Sequence, residues 1–244
     1  MKSKRTPLLC ELHAHTTWSD GELSLRELVD LYGLSGFDVL CVTDHVVRSD
    51  DRWRAGREGG RSVTQAIYDD YLRAVEQEAS RARARYDLLV VPGLELTFDD
   101  VDPARGAHAV AVGLREHVGL DDGFETALAR ARAAGAALIA AHPYPAALAA
   151  DADRTTARWA LDAGLAASVD RFELFNRAEC FHWVAAAGLP GVASGDFHRV
   201  EHLRTWKTLV PAARDEEAVV AYLRSDRPAY LADLAAPTRL RRAA

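Results

Sequence analysis

The sequence predicts a single α/β domain, residues 1–244, built on a mainly parallel sheet. Short apolar, β-branched runs alternate with stretches of helical periodicity from end to end. No break in composition, internal repeat or low-complexity segment divides the chain. The length of 244 residues also suits an α/β barrel, which commonly fills roughly 200–250 residues as one unit.

The elements follow in order. Residues 8–12 read as the first strand. Ser24 and Glu27 form a capping box for a helix whose apolar stripe is Leu25, Leu28, Val29 and Tyr32, with Gly33 and Gly36 ending it. A second strand covers 39–43, and a long helix covers 65–85 with Tyr68, Tyr71, Leu72 and Val75 at helical spacing. Strands are expected at 88–91 and 108–114. Asp122 can then cap a helix over 124–134 that Gly135 closes. A strand at 137–141, a helix at 156–163, a strand at 171–175 and a helix at 179–187 come next. Strands at 191–194 and 208–210, the second being the last, precede a closing helix at 215–223. The one long irregular stretch, 48–62, carries Arg48, Arg52, Arg54, Arg57 and Arg61 with three glycines. Loops of that length are often lids.

Composition removes several function classes. Lys plus Arg number 30 against 36 Asp plus Glu, a formal charge of −6, so a general nucleic-acid surface is not expected. The longest mostly apolar stretch, 133–141, is far short of the roughly 20 residues of a membrane span. The basic start, 1–5, has no apolar segment behind it, so no secretory signal is expected. Cys10, Cys41 and Cys180 form an odd set without CxxC spacing, which argues against disulfides and thiolate zinc sites and for a reducing cytoplasm. Only Lys2, Lys4 and Lys207 among the cations are lysines, so a single Arg is weak evidence for phosphate binding.

The His and acidic residues form a pattern on this map. His13, His15 and Asp20 follow the first strand, Asp44 and His45 end the second, and Glu95 lies just past the third. His142 ends a later strand, and Asp196 and His198 end another. In a parallel barrel the C-terminal strand ends converge on one rim, so this accumulation points to a shared metal site. His108 stands at the head of its strand, which makes its place on that rim less direct. His117, His182 and His202 have no such placement and read as surface or core residues.

These motifs resemble those of the PHP (polymerase and histidinol phosphatase) superfamily over residues 8–210. The family's HxH followed by SDG is matched by His13, His15 and Asp20, and its TDH by Thr43, Asp44 and His45. Its strand-end Glu is matched by Glu95, the next His by His108, the lone later His by His142, and the closing DxH by Asp196 and His198. The resemblance implies a distorted (β/α)7 TIM-like barrel with the metal site at the C-terminal strand ends. It also implies that all nine ligand positions of a trinuclear centre are filled, as in a metal-competent enzyme.

Six His and three carboxylates without a thiolate suit Zn, Mn or Fe better than Ca or Mg. Glu95, the only Glu of the set, is the candidate bridge between ions. Three divalent ions against Asp20, Glu95 and Asp196 leave about +3 in the pocket, which a phosphate monoester at roughly −1.5 to −2 largely neutralises. The expected reaction is hydrolysis of a small phosphorylated metabolite by in-line attack of a metal-bridging hydroxide. Asp44 is a candidate proton donor or a residue that orients a ligating His. Arg177, Arg199, Lys207 and Arg48 are candidate phosphate contacts.

The alternatives are a phosphodiesterase, exonuclease or nucleotide phosphatase of the same superfamily, and a metal-binding regulatory module without turnover. His108 and His142 are only 34 positions apart, which leaves no room for the helical insertion that nucleotide-cleaving relatives often carry there. No stable nucleic-acid complex and no membrane contact are expected.

Overall fold

The computed structural model describes residues 6–51, 62–150 and 156–235. Its strands are β1 (Leu8–Glu11), β2 (Val39–Val42), β3 (His45–Val47), β4 (Leu89–Phe98), β5 (Ala107–Val112), β6 (Ala137–Ala140), β7 (Arg171–Asn176), β8 (Glu179–Cys180), β9 (Gly191–Ser194), β10 (Trp206–Val210) and β11 (Tyr230–Asp233). The helices are α1 (Leu25–Leu34), α2 (Tyr68–Tyr86), α3 (Phe124–Ala133), α4 (Arg158–Leu161), α5 (Ala163–Ala166), α6 (His182–Ala186) and α7 (Glu216–Leu223). The main sheet runs β11-β10-β1-β2-β4-β5-β6-β7-β8, with β3 paired to β4 and β9 to β7. It curls into a half-barrel, so that Ala14 beyond β1 bridges Phe197 beyond β9.

The sheet is mixed, which corrects the expectation of a mainly parallel one. β1–β2, β2–β4, β3–β4, β6–β7 and β7–β9 are parallel, whereas β1–β10, β10–β11, β4–β5, β5–β6 and β7–β8 are antiparallel. Between β4 and β5 the cause is local, since the connection 99–106 is shorter than the dozen or so residues of a parallel crossover. Antiparallel direction has a consequence for the site. It puts the head of β5, His108, opposite Thr97 at the same edge where the parallel strands end.

Side-chain alternation gives the sheet two buried faces. Val42, Leu94, Leu96 and Phe172 pack with the helices around Leu28, Tyr32, Tyr71, Val75, Phe124 and Trp159. Cys10, Val39, Cys41, Val91, Val110, Ile139 and Val192 fill the other face, closed from one end by Val219, Tyr222 and Leu223 of α7. Arg171 is buried there and donates to the carbonyls of Leu223 (2.9 Å), Tyr222 (3.2 Å) and Arg227 (2.7 Å), as well as Ser225. It ties the C-terminus of α7 to the sheet. Among the described residues no helix is long and apolar enough to cross a membrane.

Several boundaries differ from expectation. The Ser24–Glu27 capping box is present, but Gly33 lies inside α1, where a Cβ would meet the Tyr86 ring at 2.4 Å. Gly123, at φ +97°, caps α3 in place of Asp122, which instead pairs with Arg130 at 2.8 Å. The strand expected at 88–91 extends to Phe98, so Glu95 lies within β4. The helix expected at 156–163 breaks at Asp162, whose carboxylate caps α5, and the one expected at 179–187 opens with the hairpin strand β8. β11 follows the strand expected to be last. Most of the Arg-rich stretch, 52–61, lies outside the described residues.

Replacing Arg171 by Met would leave buried carbonyls without donors. Chemical denaturation should show a loss of about 3 kcal/mol.

Candidate metal centre

The strand ends deliver the site. His13 and His15 leave β1 in extended backbone held by His15 N to Phe197 O (2.8 Å) and Phe197 N to His13 O (3.0 Å). One pair of bonds therefore sets both the His13–His15 and the Asp196–His198 segments. Asp20 follows in a turn where Ser19 N and Gly21 N both donate to Thr16 O at 3.0 Å. Gly21 is required there, because a Cβ would lie 2.4 Å from the His15 carbonyl oxygen.

Asp44 shapes the same turn. Its buried carboxylate accepts from Thr16 N (2.8 Å), Thr16 Oγ1 (2.9 Å) and Ser19 Oγ (2.6 Å), and that Ser19 oxygen lies 3.4 Å from His15 Nδ1. Of the two roles expected for Asp44, these contacts match the orienting of a candidate ligand His, through Ser19 to His15, and its oxygens do not line the cavity. Burial pushes its carboxyl above the usual range, while the bonds from Ser19 and Thr16 work against that rise.

Glu95 is the hub. Oε2 lies 3.4 Å from His13 Nε2, 3.4 Å from His15 Nε2 and 2.8 Å from His45 Nδ1. Oε1 faces away from these, 3.3 Å from His108 Nδ1 and 3.3 Å from His142 Nε2. Asp196 Oδ1 lies 3.5, 3.4 and 3.3 Å from His13 Nε2, His15 Nε2 and His198 Nδ1. Asp20 Oδ1 lies 3.4 Å from His45 Nε2 and 3.2 Å from His198 Nε2. All nine side chains singled out from the sequence are thus brought together. They fall into three groups able to hold an ion: His15, Asp20, His45 and His198; His13, His15 and Asp196; and Glu95, His108 and His142.

The donor set fits divalent ions. His13 Nε2, His15 Nε2, Asp20 Oδ1, His108 Nδ1 and both Glu95 oxygens are buried without a hydrogen-bond partner among the described residues, an arrangement that is costly unless a cation completes it. Proton affinities tell the same story. Burial lowers the His13 value, but the charges of Glu95, Asp196 and Glu173 outweigh it and hold that imidazole well above its usual range. His15, buried and beside His198 and His45, is pushed down to about 3. Burial raises the Glu95 carboxyl, yet His45 and His13 hold it well below the usual carboxylate range.

A further layer fixes the rings. Glu173, which the sequence reading missed, places Oε1 2.9 Å from His13 Nδ1 and accepts Ser194 Oγ, while Oε2 accepts His142 N (2.6 Å) and Asn176 Nδ2 (2.7 Å). Its only sequence signal is an acid between the apolar residues Phe172 and Leu174 of a strand. Asp99 Oδ1 lies 3.0 Å from His108 Nε2, and Thr97 Oγ1 lies 2.6 Å from His45 Nδ1. Bonds of this kind fix the tautomer and ring orientation of metal-binding imidazoles. Backbone strain collects here too. His142, Arg177 and Asp196 adopt φ of 28°, 53° and 41°, in the left-handed region.

The candidate phosphate contacts separate. Arg177 lines a cavity of about 190 Å3 together with seven of the nine clustered side chains, Thr97 and Asp99. It donates to Asp196 O (3.0 Å) and His198 Nδ1 (3.1 Å) and pairs with Asp196 Oδ2 (2.9 Å). Lys207 is corrected: fully buried, it donates to Thr205 Oγ1 (2.7 Å) and His202 O (3.2 Å) and pairs with Glu11 (3.1 Å), out of reach of a substrate. Arg48 lies over the Phe98 ring at 4.5 Å, and Arg199 is exposed; neither lines the cavity. His202 is closer to the centre than expected, accepting the His198 backbone N–H at 3.1 Å through Nδ1.

No protein-family model matches the chain. A stretch of 90 residues, 37% of the chain, is 32% identical to the DNA polymerase/3'-5' exonuclease PolX of Bacillus subtilis (strain 168), of which it covers 15%. Among solved structures, a two-domain protein of Bacteroides vulgatus containing a predicted PHP-like metal-dependent phosphoesterase matches 95% of the chain and 66% of its own length. The TM-score is 0.66 and the identity 19%. A candidate metal-dependent phosphoesterase of Bifidobacterium adolescentis matches with a TM-score of 0.50 and 17% identity, over 80% of this chain and 90% of its own. The chain therefore shares the fold of PHP-like proteins, and it spans only a small part of the polymerase.

Glu173→Gln keeps the side-chain volume but removes one acceptor from the His13 and His142 network. Competition against a chromophoric chelator should show zinc affinity falling by about 10–100-fold, and an unchanged affinity would remove Glu173 from the site.

Proposed function

We propose that the chain is a phosphomonoesterase that hydrolyses a small phosphorylated metabolite with three divalent ions, zinc, manganese or iron. The observation that carries this reading is the convergence of nine candidate ligand side chains in three adjoining groups, seven of them lining one cavity, with the two Glu95 oxygens facing different imidazoles. A sheet curled in this way is read as a distorted (β/α)7 barrel.

The three groups around Asp20, Asp196 and Glu95 would hold the ions. When bound, such ions supply Lewis acidity that acidifies an attacking water near neutral pH and offsets charge on phosphoryl oxygens. The chain's own residues prepare for this. Glu173 at His13 Nδ1 and Asp99 at His108 Nε2 turn the opposite ring nitrogens toward Glu95. Glu95 and Asp196, kept ionised, leave the loaded pocket with a positive excess that suits a dianionic phosphate monoester and not a neutral amide. Arg177 braces Asp196 and His198 from the cavity wall, beside the place a phosphoryl group would enter. Every residue lining the cavity carries a polar or charged side chain.

The similarity to a polymerase/exonuclease over 90 residues favours a second reading, a 3'-5' exonuclease. One panel separates the two. Protein loaded with each metal is assayed on small phosphomonoesters, phosphodiesters and single-stranded DNA, with His13→Ala as control. Phosphate release from monoesters, reduced at least 100-fold in His13→Ala, is expected. Faster cleavage of DNA ends selects the second reading, and turnover untouched by His13→Ala contradicts both.

A further inference from the structure

Glu11 and Lys207 face each other across β1 and β10, in the register that pairs Cys10 with Thr208. Both are fully buried, and Glu11 Oε2 accepts from Tyr32 OH (2.8 Å) while lying 3.1 Å from Lys207 Nζ. The other oxygen does something different. Oε1 accepts backbone N–H groups from Leu12 (3.1 Å), His13 (3.3 Å) and Gly195 (2.8 Å). Leu12 and His13 open the His13–His15 segment, and Gly195 immediately precedes Asp196. One carboxylate oxygen thus joins two strand exits 184 residues apart in sequence. Gly195 admits it, since a Cβ at that position would lie 2.4 Å from Glu11 Oε2 and 2.6 Å from Lys207 Nζ.

We propose that Glu11 is a positioning residue for the metal centre: through Oε1 it sets the spacing between the His13–His15 and Asp196–His198 segments. Lys207 balances its charge, which explains a buried lysine with no access to the cavity. The proposal rests on the reading of those segments as metal-holding. It separates the two functions of the carboxylate, because the oxygen as acceptor positions the backbone and the charge only matches Lys207. A pair lost together is far less disruptive than one charge left alone.

Two double variants remove the ion pair. Glu11→Gln/Lys207→Met keeps an acceptor oxygen at this position, and Glu11→Leu/Lys207→Met does not. Zinc is titrated into each metal-free protein against a chromophoric chelator, at a temperature where circular dichroism shows it folded. A purely structural role would shift the melting midpoint and leave the zinc affinity of folded protein unchanged. The Gln/Met protein should bind within about threefold of wild type, and the Leu/Met protein about 10–100-fold more weakly. Equal affinity of the two doubles overturns the proposal. If the Leu/Met protein does not fold, the Gln/Met protein decides: a loss of tenfold or more in it overturns the proposal, and retention supports it. Wild-type protein that binds no zinc sinks the metal-centre reading itself, and the positioning role with it.

Discussion

Glu95 has no exposure to water and faces five imidazoles, three at one oxygen and two at the other. A carboxylate in so dry a place is tolerated only when cations surround it. Protons serve only part of the cluster: His13 and His45 are held well above their usual range beside Glu95, whereas burial first, and then His198 and His45 at ring-centroid distances of 4.2 and 4.3 Å, push His15 down to about 3. Divalent ions would satisfy the carboxylates and the imidazole lone pairs at once.

The backbone answers the constraint by converging strand ends of both directions. Parallel strands β1, β2 and β9 lead into the site, while β4 runs through it and returns at once as antiparallel β5. Hairpin return is what lets a residue at the head of a strand, His108, meet residues at the tails of others. The Ala14–Phe197 bridge joins the backbone beyond β1 to the backbone beyond β9 at the same level. Left-handed backbone at His142, Arg177 and Asp196 shows that side-chain placement outranks local conformational preference there. Glu173 and Arg171 divide the labour on one face of β7, the first toward the metal-binding end and the second toward α7.

The ligand set was legible because its chemistry is local. His, Asp and Glu placed just after apolar runs announce themselves whatever the strand direction. Direction itself was not legible, since an apolar run carries no mark of parallel or antiparallel pairing, and His108 remained ambiguous for that reason. Supporting acids were hidden differently. Glu173 and Glu11 sit within strands, where a single acid resembles a solvent-facing position, and only tertiary packing makes them buried. Lys207 reads as a candidate phosphate contact in the sequence, and only the fold shows it buried against Glu11. Asp44 stands inside a conspicuous motif, and only the fold shows that its carboxylate holds the Thr16–Ser19 turn beside His15.

The most direct measurement is the anomalous scattering of zinc-loaded crystals at the zinc edge. Three ions are expected, one held by His15, Asp20, His45 and His198, one by His13, His15 and Asp196, and one by Glu95, His108 and His142. A single ion held by both Glu95 oxygens, or none at Glu95, would contradict the account.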